Sequence, residues 1–180
     1  MNKIRLLILI LVIPCVINAQ TVTSEGVEEH DGITYLKGTD EPFTGSVIAY
    51  FPDGKPQIES PFIDGKLNGV EKTWYETGEL ATETEYKNGL FHGHWKEYYV
   101  HGQIQSDTYY EENSINGKCY TWHGNGQLES EGEKLHCMEE GIWVEYYPNG
   151  QKKAEGSYHQ GEKTGDWKYW DEGGNLITVE

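Results

Sequence analysis

Glycine recurs in this chain on a fixed period. Gly45, Gly69, Gly93, Gly117, Gly141 and Gly165 stand 24 residues apart, and Gly54, Gly78, Gly102, Gly126, Gly150 and Gly174 repeat on the same period. Six units in phase, without insertion, describe a tandem array in which no unit can bury its apolar surface alone and each is completed by its neighbours. Gly141 to Thr164, GIWVEYYPNGQKKAEGSYHQGEKT, is a representative unit. Three regions follow: residues 1–19 as a leader, 20–44 as an N-terminal segment and cap, and 45–180 as six repeats.

Counting each unit from its first glycine exposes the columns. The sixth position is always aromatic: Tyr50, Trp74, Tyr98, Trp122, Tyr146, Trp170. The twelfth is mostly aliphatic (Leu80, Ile104, Leu128, Leu176), and the eighteenth holds Phe62, Tyr86, Tyr110 and Tyr158, with Lys134 as the exception. Pro52-Asp53-Gly54 and Pro148-Asn149-Gly150 mark one turn, and Lys87-Asn88-Gly89 marks the other. Short aromatic and Thr-rich runs between such turns read as β-strands paired into hairpins. The predicted fold is all-β, an elongated, twisted, single-layer antiparallel sheet of 24-residue hairpin repeats. With strands ~4.8 Å apart, successive units lie roughly 9–10 Å apart and the array spans roughly 50–60 Å.

Turn chemistry sets the expected faces. Pro at the eighth position presets a type I turn, and the glycine two residues later takes the left-handed conformation of a bulge. A two-residue type I′ turn is the alternative. In the bulged turn the sixth position pairs with the twelfth. Unbroken alternation from there places positions 6, 12 and 18 on one core face, and positions 3, 7 and 15 on the other. The sixth-position rings Tyr50, Trp74, Tyr98, Trp122, Tyr146 and Trp170 are therefore expected to be the structural core.

The N-terminus, MNKIRLLILILVIPCVINAQ, has the parts of a secretory signal: Lys3 and Arg5, an apolar run from Leu6 to Ile13, and Ala19 at a cleavage site. The run is short for a membrane span. A lipid anchor at Cys15 is the rival reading. Export after cleavage near Ala19, to the periplasm, cell surface or medium, is the expectation. Loss of Lys3 and Arg5 with no acid takes the formal charge of −16 to −18. That balance opposes nucleic-acid phosphates and anionic lipid head groups, which recruit Lys and Arg. Neither nucleic-acid nor membrane-surface binding is expected, the Cys15 anchor aside. Low hydropathy and acidity are also marks of disorder, but the aromatic residues here are numerous and periodic.

These residues resemble the bacterial MORN-repeat variant family, whose units run G-x-W-x-x-Y-Y-x-N-G-x-L-x-x-E-x-x-Y-x-N-G. Gly141-Ile142-Trp143-Val144-Glu145-Tyr146-Tyr147-Pro148-Asn149-Gly150 matches closely, and the resemblance covers roughly Gly32 to Glu180. It implies the repeat fold. It also implies either an interaction scaffold or an antitoxin-like component, and the wider MORN class is linked to membranes and lipids. The fourth unit departs from the pattern, with Leu135-His136-Cys137-Met138 where a Tyr-Lys-Asn-Gly turn is usual.

Several constellations bear on chemistry. The acidic column at position 15 (Glu59, Glu83, Asp107, Glu131, Glu155) is spaced by a whole repeat, whereas paired catalytic carboxyls in glycosidases stand about 5–9.5 Å apart. A solvated strand face fits better. His92 and His94 share a face, but zinc needs further ligands that the spacing does not supply. No metal or cofactor is expected. Cys119 and Cys137 would be drawn to pair in an oxidising compartment. A regular hairpin puts their Cα atoms beyond the ~7 Å limit, although an irregular fourth turn would bring them together. No nucleophile–base arrangement has supporting context, so enzyme activity is not expected. Trp95, Tyr99, Trp143, Tyr147 and Trp167 form the candidate partner-binding face, because rings supply large contact area with a polar tip. The partner is expected to be another protein, with a cognate toxin or a glycan as alternatives.

Overall fold

The computed structural model describes residues 20–177. The expected leader, with Lys3, Arg5, Cys15 and Ala19, lies outside those residues. The strands are β1 (Gln20–Thr23), β2 (Val27–His30), β3 (Ile33–Leu36), β4 (Gly45–Tyr50), β5 (Pro56–Ile63), β6 (Lys66–Leu67), β7 (Gly69–Trp74), β8 (Leu80–Lys87), β9 (Leu90–Tyr98), β10 (Ile104–Glu111), β11 (Ser114–Trp122), β12 (Leu128–Leu135), β13 (Met138–Tyr146), β14 (Lys152–His159), β15 (Glu162–Trp170) and β16 (Leu176–Ile177). Apart from the β2–β3 hairpin they form one 14-stranded sheet in nearly sequential order, antiparallel except where β1 runs parallel to β4 and closes the first edge. A single 3-10 turn at Ser24–Gly26 is the helical structure among the described residues.

The first turn of each unit is the bulged type I turn. Tyr147 N–H donates to the Gln151 carbonyl at 2.8 Å and Gly150 N–H to Tyr147 at 2.8 Å, with the equivalent bonds in the other five units. Gly150 sits at φ +83°, a conformation that costs a Cβ-bearing residue energy. Asn149 Oδ1 caps the turn by accepting Gln151 N–H at 2.9 Å, while its amide donates to the Glu172 carbonyl one unit on at 2.8 Å. The second turn is the tight type I′ form, with both central residues at positive φ: 53° at Asn88 and 83° at Gly89. His136 and Cys137 take the same conformation, at 53° and 67°. The divergent fourth hairpin therefore keeps the regular turn despite lacking glycine there.

The expected division of faces needs correction. Tyr146 pairs with Lys152, as the turn requires, but Glu145 then pairs with Ala154, so Lys153 is an extra residue in the strand. The same one-residue shift follows the first turn in the four preceding units. A bulge at position 13 thus reverses the later alternation. Position 18 joins positions 3 and 7 on what we term the tryptophan face, together with positions 14 and 16, which are small except at Ile58. Position 15 joins positions 6 and 12 on the opposite, carboxylate face. Trp143 accordingly meets Tyr158, with ring centroids 6.1 Å apart, while the Tyr146 hydroxyl donates to Glu131 at 2.8 Å.

The most buried residues of the sheet lie on the tryptophan face, at Ser60, Thr84, Cys119 and Ala154, and Phe43 of the cap joins them. The sixth-position rings are half-buried rungs on the other face, and Tyr50 is 48% exposed, so it is no core residue. Cys119 lies mid-strand opposite Gly132, and Cys137 lies in the turn beyond; both are free, Cys119 buried and Cys137 exposed. The regular fourth turn removes the irregularity that a disulfide between them would have required.

Candidate functional site

The tryptophan face has a floor of short side chains and bare glycine, over which the large rings lie flat. A Cβ at Gly132 would stand 2.2 Å from the Trp143 indole carbons, and one at Gly156 2.2 Å from those of Trp167. Each indole also bonds the strand below, Trp143 Nε1–H to the Glu133 carbonyl at 3.1 Å and Trp167 Nε1–H to Ser157 at 3.3 Å. The rings are thus pinned in one orientation, half-buried, with an edge or face left to solvent.

Trp95 belongs to a cluster with Phe91 at 6.2 Å and Tyr110 at 5.8 Å between centroids. Trp167 packs against Tyr158 at 5.1 Å and Tyr169 at 6.2 Å, and Lys163 Nζ sits 3.9 Å from its ring centroid. Between these clusters, Trp143, Tyr147, Tyr158, His123, Glu139 and Lys153 line a hollow of about 420 Å³. Trp143 and Tyr147 are therefore brought to one site, while Trp95 and Trp167 lie on either side of it along the same face.

Tyr99 and Tyr147 carry a structural duty that their position alone did not reveal. Tyr147 Oη–H donates to the carbonyl of Trp170, one unit on, at 2.9 Å. Tyr99 does the same to Trp122 at 2.8 Å and Tyr75 to Tyr98 at 2.6 Å, and His123 Nε2 supplies the equivalent bond to Tyr146 at 2.9 Å. Position 7 is thus a cross-link between neighbouring units, satisfying carbonyls at the end of a strand. Its rings still form one wall of the face.

Sequence reasoning placed Tyr158 on the wrong face and passed over Lys163, Glu139 and Lys134. The usable signal was a substitution in phase: position 18 is aromatic except at Lys134, and position 23 is Leu67, Phe91 and Ile115 before becoming Glu139 and Lys163. Lys134 and Glu139 face each other as an ion pair at 3.0 Å, and the hydrogen bond from Lys134 holds the Glu139 carboxyl below its ordinary range. Elsewhere on this face Tyr86 and Phe91 stack at 4.9 Å, and burial, reinforced by the charge of Glu71, pushes the Tyr86 phenol up to about 12.

On the carboxylate face the tyrosine hydroxyls and the acids of position 15 are partners. Tyr98 donates to Glu83 at 2.8 Å, and Lys72 lies 3.3 Å from the same carboxylate. His94 Nδ1 lies 2.7 Å from Asp107. These groups satisfy one another along the ladder, and no group of three or more metal-ligating side chains comes together among the described residues.

A search of curated proteins returns no match to the chain. The family model described as MORN repeat variant matches residues 43–64, 67–88, 91–112, 115–133 and 139–160, five tandem units on the 24-residue period and more than half the chain. The β15–β16 hairpin adds the first turn of a sixth unit beyond those matched. Shared columns, turns and period place this protein in the MORN repeat variant family.

Proposed function

We propose that the protein is an exported, non-enzymatic scaffold that holds another protein against its tryptophan face at the cell envelope. Repeats of this family serve protein and membrane interaction. The observation that carries the reading is the tryptophan face itself, where half-exposed indoles are pinned on a glycine floor at a fixed repeat spacing. Rigid aromatic rings of this kind lose little conformational entropy on binding and contribute disproportionately to interface energy. The formal charge of −16 favours a protein partner over an anionic lipid surface. Export rests on the pattern of the first 19 residues.

The test is affinity capture by the immobilised mature chain, residues 20–180, from the envelope fraction of its own cells. A partner should be retained by wild type and by Trp122→Ala on the carboxylate face, and lost with the Trp95→Ala/Trp167→Ala double variant. Retention by that double variant, or loss with Trp122→Ala alone, would sink the assignment of the face. A reporter carrying residues 1–19 should reach the envelope or medium; retention in the cytoplasm removes the export half of the reading.

A further inference from the structure

The three tryptophans at position 3 are covered differently, and the difference follows from the residue at position 23 of the preceding unit. Trp95 has Phe91 against it, at an interplanar angle of 20°. Trp167 has Lys163, whose ammonium lies 3.9 Å from the ring centroid. Trp143 has Glu139, and that side chain is turned to Lys134 at 3.0 Å. An ion pair has replaced the ring pair seen at Tyr86 and Phe91. Trp143 keeps one aromatic neighbour, Tyr158, and the hollow of about 420 Å³ opens beside it.

The charge around that hollow has one sign in excess. Glu129, Glu139 and Glu145 all line it; Lys134 pairs with Glu139 at 3.0 Å and Lys153 with Glu145 at 3.1 Å, which leaves Glu129, 3.7 Å from His123, as the carboxylate in excess. An open indole beside a carboxylate that no lysine neutralises suits an alkylammonium or guanidinium group, which gains both from the ring quadrupole within about 6 Å and from the nearby negative charge. The chain displays that contact one unit further on, where Lys163 supplies the cation internally.

We infer that the hollow beside Trp143 receives a Lys or Arg side chain of the partner protein. The inference rests on the scaffold reading and specifies its chemistry: the partner presents a basic side chain on an extended segment that runs along the tryptophan face. Glu139→Lys should close the site by rebuilding the Lys163 arrangement on Trp143.

The indole ¹⁵N–¹H signals of the six tryptophans report on this directly. The probes are three octapeptides identical except for a central Arg, Lys or Gln, with spermidine as a free polycation. The Arg and Lys peptides should shift the Trp143 signal saturably, at least tenfold more tightly than the Gln peptide. Glu139→Lys should weaken them at least tenfold while the other five signals stay in place. Trp143→Phe, which keeps an aromatic ring and is followed by the backbone amide signals of residues lining the hollow, should weaken them several-fold and serves if Glu139→Lys does not fold. Equal binding of Arg and Gln peptides, a titration unchanged in Glu139→Lys and Trp143→Phe, or binding of spermidine alone overturns the inference. Envelope capture separates the two levels. A partner held equally by wild type and Glu139→Lys removes the hollow and keeps the scaffold. Failure of wild type to capture any protein removes both.

Discussion

Gly132 and Gly156 occupy places where a Cβ would stand 2.2 Å from an indole carbon. Gly132→Ala must therefore lift Trp143 from the strand, breaking its bond to Glu133 as well as its packing. Overpacking of this kind costs roughly 1–3 kcal/mol, and the urea midpoint of Gly132→Ala should fall accordingly, whereas Gly124→Ala, whose Cβ would meet only the His101 ring at 3.8 Å, meets no such clash. A second residue-scale consequence concerns alkali. Burial first, then the hydrogen bonds to Glu83 and Glu131, push the phenols of Tyr98 and Tyr146 up to about 12. Their folded values lie above the unfolded value of about 10, so the stability they contribute is full below about pH 10 and is lost as pH rises through about 12. Absorbance titration at 295 nm should show a late-ionising class of tyrosine. Tyr98→Phe/Tyr146→Phe should remove part of that class and flatten the fall in stability above pH 10; an unchanged titration would refute the assignment.

At the scale of the element, the turns were legible and the bulge was not. Pro148-Asn149-Gly150 announces its geometry because each residue satisfies a distinct backbone demand: preset φ, side-chain capping, and a left-handed position. Position 13 carries no such demand. Gln57, Ala81, Gln105, Glu129 and Lys153 share no chemistry, since a residue squeezed between two ladder pairs needs neither a special φ nor a particular partner. The assumption of unbroken alternation then misplaced every side chain from position 14 onward. A clue existed in the short side chains of positions 14 and 16 (Ile58 apart), which only make sense beneath the large rings. The hollow was illegible for the same reason, because Tyr158 and Lys134 had been assigned to the far side. The register makes a further prediction. Ile104 pairs with Tyr98 and Ser106 with Glu97, so deleting Gln105 preserves every pair and every facing. That deletion should keep the near-UV circular dichroism of the aromatic clusters. Inserting one alanine between Asp107 and Thr108 instead turns Thr108 and Tyr110 off the face or forces a second bulge. It should strip Trp95 of Tyr110 and lower the urea midpoint several-fold more than the deletion does.

At the scale of the whole molecule, among the described residues the 14-stranded sheet has two faces and no second layer, and no large side chain is completely buried. Stability must then come from contacts between each unit and its neighbours, of which the bonds from position 7 to the next unit and from Asn149 to Glu172 are the recurrent examples. Such an array behaves as a sum of unit and interface terms. Deleting a whole unit, residues 69–92, brings Asn68 to Gly93 in phase, preserves turns, bulges and columns, and removes one set of neighbours. The shortened chain should fold cooperatively, with a urea m-value lower by roughly one part in six because m follows the surface exposed on unfolding. Deleting only residues 69–80 removes one strand and one turn, joins β5 to β8 through the retained Asp64-Gly65 turn so that two second strands of the repeat pair with mismatched columns, and should abolish cooperative unfolding. If both deletions lose stability equally, neighbour contacts are not what holds this sheet together, and a longer-range interaction must be sought.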